Sequence, residues 1–169
     1  MREWIPVPGS ARAKLVQAAL ARFEAHGFEA ASVVEIAGDA GVTTGSLYHH
    51  FGSKQGLFDF VRLEMQRRIR DRMEGAHAAV GGRDGVASAL LVGFDTAVHF
   101  RAARILSEPP SEGADLLHET LAALVAPRPP ATASVLLGAW RAALRAAADL
   151  VSPAEAREAL EWVLGGALT

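Results

Sequence analysis

The residues best equipped for chemistry cluster in one short run. Thr43, Thr44, Gly45, Ser46, Tyr48, His49 and His50 bring hydroxyl, phenol and imidazole groups together. Such groups hydrogen-bond without much apolar bulk, so they suit base edges and phosphates in a DNA groove. Gly45 would let a duplex backbone approach closely. Covalent and metal chemistry find few candidates. The chain has no cysteine, which excludes disulfides, thiolate metal sites and cysteine nucleophiles. It has no glycine-rich phosphate loop, no paired-histidine zinc motif at i,i+4 spacing and no nucleophile elbow. His49 and His50 are adjacent, point to different faces of a helix and make a poor metal pair. The reading is therefore a binding protein, not an enzyme, with no cofactor and no metal.

Two short helices with a glycine turn between them would position the polar run. Ser32-Val-Val-Glu35 reads as a capping box that opens a helix ending near Ala40. Gly41 supplies a tight turn, and Thr43 caps a second short helix running to about Phe51. Ile36 and Ala37 face inward on the first helix, and Val42 and Leu47 fold back on them. This is the construction of a helix-turn-helix, whose second helix enters the major groove. An earlier helix, capped by Ser10, carries Leu15, Ala18, Ala19 and Phe23 at helical spacing and ends at His26-Gly27. Ser53 caps a long fourth helix whose stripe is Leu57, Phe58, Val61, Met65, Ile69 and Met73, continuous to about Gly75.

Composition agrees with an all-α protein. Half of the 169 residues are hydrophobic, and the eight prolines sit at the ends of periodic segments. No apolar run is long enough to span a membrane, and the N-terminal residues lack the apolar core of a signal peptide. A cytoplasmic protein is expected. The net charge of −2 argues against non-specific nucleic-acid binding. Residues 1–75 hold ten Lys/Arg and nine Asp/Glu, a net of +1, and residues 76–169 hold seven and ten, a net of −3. The sign suits an N-terminal DNA-binding half, but the asymmetry is small.

The stretch from Ala11 to Phe28, the run Val33–Phe51 and Gly52-Ser-Lys-Gln-Gly-Leu-Phe58 together resemble the N-terminal domain of the TetR family. The ending Leu47-Tyr-His-His-Phe51 followed by Lys54 is the most specific part. The resemblance covers about residues 10–60, and it implies a three-helix DNA-binding domain with a ligand-binding, dimerising domain behind it. It implies release from palindromic operator DNA when a small molecule binds, and hence a repressor. It places Thr43, Thr44, Gly45 and Ser46 nearest the DNA, Tyr48 and His49 on phosphates or bases, and Lys54 on a phosphate. Ser32, at a helix N-terminus, is a further phosphate contact. Many relatives carry a basic residue where Thr44 stands, and Gly38 costs its helix about 1 kcal/mol relative to alanine.

The expected domains are residues 10–56 for DNA binding and 57–169 for effector binding and dimerisation, about nine helices in all. Gly81-Gly82 marks a break and reads as the best domain boundary. A helix follows from Val86 to Leu106, bent before Ala102, then one from about Glu112 to Ala126. Two more close the chain at about 131–151 and 153–164. Candidate pocket residues are Met65, Leu91, Phe94, His99, Phe100, Leu106, His118 and Trp140, each of which could equally be plain core. Arg67, Arg68, Arg70 and Arg72 read as a solvated face with Glu64, Asp71 and Glu74. Ala139, Ala142, Ala143, Ala146 and Ala147, flanked by Leu136, Leu144 and Leu150, form a small-residue surface for a homodimer through residues 131–164. The competing reading is a helical interaction or structural bundle without DNA binding. It explains the core but leaves the polar run at 43–50 without a purpose.

Overall fold

The computed structural model describes residues 9–110 and 113–167. Among them the secondary structure is helical, with nine helices and no strand. The chain divides into two compact units after Arg62.

The first unit contains α1 (Ala11–Ala30), α2 (Val33–Asp39), α3 (Thr44–Phe51) and the start of α4 (Lys54–Val80). Its core is Leu15, Ala19, Phe23, Ile36, Ala37, Leu47, Leu57 and Val61, all buried. Burial of a Leu, Ile or Phe side chain stabilises by about 1.5–3 kcal/mol. Phe23, Phe28 and Phe58 form an aromatic cluster, with Phe23 and Phe58 edge to face at 5.0 Å. Ser10 Oγ accepts from the Ala13 N–H at 3.2 Å, as its capping role requires. Helix α1 is interrupted at Gly27 and continues to Ala30, slightly beyond the expected end.

The second unit holds the rest of α4 with α5 (Gly82–His99), α6 (Ala103–Leu106), α7 (Leu116–Leu124), α8 (Ala131–Asp149) and α9 (Pro153–Ala167). Met65, Ile69 and Met73 of α4 are buried, as are Leu90 and Phe94 of α5, Leu117 and Leu121 of α7, and Leu137 and Leu144 of α8. Gly93 permits close packing, because a Cβ there would lie 3.0 Å from Met73 Cγ. Trp140 is 1% exposed, and its Nε1–H donates to the Leu90 carbonyl at 3.0 Å.

Several boundaries differ from expectation. Helix α4 passes Gly75 and ends at Val80, so Gly81-Gly82 separates two helices of the second unit. One glycine weakens a long helix by about 1 kcal/mol, which packing overrides. The expected bend before Ala102 is a full break: Arg101 takes φ 54°, and α6 starts anew after Ala102. The helix expected from Glu112 starts at Leu116; Glu112 itself lies outside the described residues. The arginine face of α4 follows the expected pattern, with Arg67 on Glu64 at 2.9 Å and Arg70 on Asp71 at 3.1 Å.

The small-residue surface of α8 is also redrawn. Ala143, Leu136 and Leu144 are buried in the unit's own core. Ala139, Ala146 and Ala147 are half-buried, and Ala142 is exposed. Exposed apolar area lies instead on Val135, Leu150, Trp162 and Val163, with Trp162 81% exposed.

Trp140 provides a test of this packing. Trp140→Ala is expected to destabilise the protein by about 3–5 kcal/mol through loss of buried area and the cavity left behind. Trp140→Phe, which keeps most of the bulk but loses the hydrogen bond, should cost about 1–2 kcal/mol. Urea denaturation followed by circular dichroism measures both; equal costs would show that the indole is not packed as described.

Candidate nucleic-acid interface

Helix α3 is anchored on one side and open on the other. Leu47 is fully buried, Phe51 is half-buried, and Thr43, Gly45, Tyr48 and His49 are exposed. Successive helical residues are 100° apart, so Gly45, Tyr48 and His49 share the face opposite Leu47. Thr44 and Ser46 flank it, half-buried. Thr43 Oγ1 accepts from the Ser46 N–H at 3.2 Å and closes the helix start. Gly52 ends the helix, its N–H donating to the Tyr48 carbonyl at 2.8 Å.

The turn before α3 follows from Gly41. Its φ is +64°, a conformation an L side chain rarely adopts. The Gly41 N–H donates to the Gly38 carbonyl and the Val42 N–H to the Ala37 carbonyl, both at 3.0 Å. Gly56, which the sequence reading passed over, sets the other end. A Cβ there would fall on the Phe51 carbonyl oxygen. Its N–H donates to Ser53 Oγ at 2.9 Å, the cap expected for α4. A glycine in the first turn of a predicted helix was the available signal.

The capping box at Ser32–Glu35 does not form. Ser32 precedes α2 with an extended backbone, but its side chain makes no capping bond. Glu35 pairs with Arg22 at 3.2 Å instead. Arg22 also grips Asp39 with two hydrogen bonds, at 2.6 and 3.1 Å, tying α1 to both ends of α2. This bond raises the Arg22 pKa and holds the Asp39 carboxyl below its ordinary range. The tertiary ion pair thus took the carboxylate that a local rule assigned to the cap. The half-buried Ser32 is left at the start of α2, beside Val34, which is 68% exposed.

Lys54 has a structural task. Its Nζ donates to the carbonyls of Glu29 at 3.1 Å and Ala31 at 3.0 Å, and sits 4.4 Å from the centre of the Phe28 ring. An ammonium has three donors, so two are committed to the end of α1 and one is left. Helix α3 itself carries no Lys or Arg.

The candidate pocket residues of the second unit differ in burial. Met65, Phe94, Leu106 and Trp140 are packed interior residues. Leu91 and Phe100 are half-buried and His99 is exposed. His118 shares a hydrogen bond with Ser134 at 2.9 Å. A pocket of about 520 Å³ lies elsewhere, between the start of α5, the end of α7 and the start of α8.

Residues 15–61 match the family model described as bacterial regulatory proteins, tetR family. Over this segment, a little over a quarter of the chain, the sequence is similar to the TetR family. The HTH-type transcriptional repressor KstR2 of Mycobacterium tuberculosis is 46% identical over 50 residues, 30% of this chain and 25% of that protein. The HTH-type transcriptional regulator UidR of Escherichia coli is 36% identical over 70 residues, 39% of this chain and 36% of that protein. The chain thus matches a quarter to about a third of the length of these curated relatives. Solved structures extend the likeness of fold. A TetR-family regulator from Syntrophomonas wolfei superimposes with a TM-score of 0.76 at 15% identity, covering 94% of both chains. One from Shewanella gives 0.68 at 21% identity, covering 94% of this chain and 98% of that one. The TetR family and these relatives are transcription regulators, not enzymes.

The double duty of Lys54 is testable. Lys54→Ala should lower stability by about 1–2 kcal/mol by freeing two carbonyls from a charged donor. Thermal melts of the variant check this, and an unchanged melting temperature would mean the tie to α1 contributes nothing.

Proposed function

We propose that this protein is a ligand-responsive transcriptional regulator, a repressor acting in the cytoplasm. It binds palindromic operator DNA as a homodimer and leaves it when a small molecule binds. The observation that carries this reading is the polar, unpartnered face of α3 around Gly45, Tyr48 and His49. Tyr48 is 51% exposed, and a Cβ at Gly45 would meet only Thr43 Oγ1, at 3.7 Å. The protein's own packing therefore does not require a glycine that costs its helix about 1 kcal/mol. Room for a duplex backbone accounts for it.

In this reading Thr43, Thr44, Gly45 and Ser46 lie nearest the base edges, and Tyr48, His49 and Ser32 contact bases or phosphates. Lys54 offers its remaining N–H to a phosphate while holding the end of α1. The domain assignment is residues 10–56 for DNA and 57–169 for effector and dimer. Dimerisation uses residues 131–164, centred on Val135, Ala142, Trp162 and Val163. An exposed tryptophan beside exposed aliphatics is the kind of surface that marks an interface. Two copies would read half-sites about 34 Å apart. A ligand in the second unit acts through α4, which continues from one unit into the other; a coupling of about 1–3 kcal/mol is typical.

Tyr48→Ala should weaken binding to DNA from the protein's own upstream region about tenfold or more, the usual scale for one good contact. A gel shift at two salt concentrations reads this, and failure to bind any candidate operator would exclude the repressor. Trp162→Lys should shift the protein from dimer to monomer in sedimentation velocity. A dimer that survives the change would place the interface elsewhere.

A further inference from the structure

The pocket of the second unit has a definite chemical character. Its walls are apolar, with Val86 of α5, Leu124 at the end of α7 and Leu136 of α8, and Thr132 adds one hydroxyl. Its charged lining consists of two arginines, Arg83 and Arg128, with no Asp or Glu among the lining residues. Both arginines are exposed. Among the described residues neither side chain has a hydrogen-bond or ion-pair partner. By contrast, Arg22, Arg67, Arg70, Arg104, Arg141, Arg145 and Arg157 all pair with carboxylates.

The backbone adds to the same sign. Gly82 and Arg83 are in the first turn of the 18-residue helix α5, where N–H groups have no intrahelical acceptor. The end of α7, which would present carbonyls, is partly self-satisfied. The Val125 N–H donates to the Leu121 carbonyl at 2.9 Å and the Arg128 N–H to the Val125 carbonyl at 2.9 Å. The volume of about 520 Å³ falls within the usual range for small-molecule sites.

We propose that this pocket binds an amphipathic oxyanion: a single carboxylate or phosphate head held by Arg83 and Arg128, with an alkyl or aryl tail against Val86, Leu124 and Leu136. Guanidinium groups suit both heads, because their planar fork matches two oxygens at once. The site gives the effector of the proposed regulation a place and a chemical class, and its regulatory role rests on that reading. Binding itself does not.

Isothermal titration of the full chain tests the proposal with four ten-carbon probes: decanoate, decyl phosphate, decanol and decyltrimethylammonium. At least one oxyanion should bind at least tenfold more tightly than decanol and the cation. The comparison of decanoate with decyl phosphate identifies the preferred head. The double variant Arg83→Ala/Arg128→Ala, altered only at exposed positions, should lose at least tenfold in oxyanion affinity and keep its melting temperature. Leu124→Asp should abolish oxyanion binding by adding a negative charge and removing part of the wall. Equal affinity for decanol and decanoate, no oxyanion binding at millimolar concentration, or a double variant that binds like the parent would overturn the site. A gel shift with the bound oxyanion then separates the two ideas. Oxyanion binding that leaves DNA affinity unchanged keeps the site and removes its regulatory role.

Discussion

Helix α3 has eight residues, too few to be stable in water alone, where helices shorter than about 12–15 residues are marginal. Everything proposed for this protein depends on that helix being held from outside. Leu47 anchors it in the core, Thr43 closes its start, and Gly56 lets α4 lie against its last carbonyl. Because the anchoring is all on one side, the other side is free to carry polar groups that contribute nothing to folding.

The first unit spends much of its charge on holding itself together. Arg22 is committed to Glu35 and Asp39, and Lys54 to the end of α1. In the proposed reading, recognition then falls on neutral donors and acceptors at placed positions, with little help from bulk electrostatics. A protein built this way would show a shallow dependence of DNA affinity on salt, since few phosphates are neutralised.

In the second unit the same economy of partners has the opposite outcome. Most arginines are paired, Trp140 is fixed by a hydrogen bond to α5, and Met65, Phe94 and Leu106 are buried with it. At the pocket between α5, α7 and α8, two unpaired arginines meet apolar helix ends.

What the sequence determined by itself was local or periodic. The all-α class, the glycine turn at Gly41, the caps by Ser10, Thr43 and Ser53, and the buried face of α3 follow from spacing of a few residues. So does the likeness to the TetR family, because the motif from Ser10 to about Phe60 is contiguous. Tertiary structure decided where those short-range rules met a distant competitor. Glu35 left its expected cap for Arg22, Lys54 turned to the carbonyls of Glu29 and Ala31, and Leu136 and Leu144 went to the core. Arg83 and Arg128 came to one pocket from positions 45 residues apart. A side chain's partner is set by everything within reach in three dimensions, and sequence spacing reports only the neighbours along one helix.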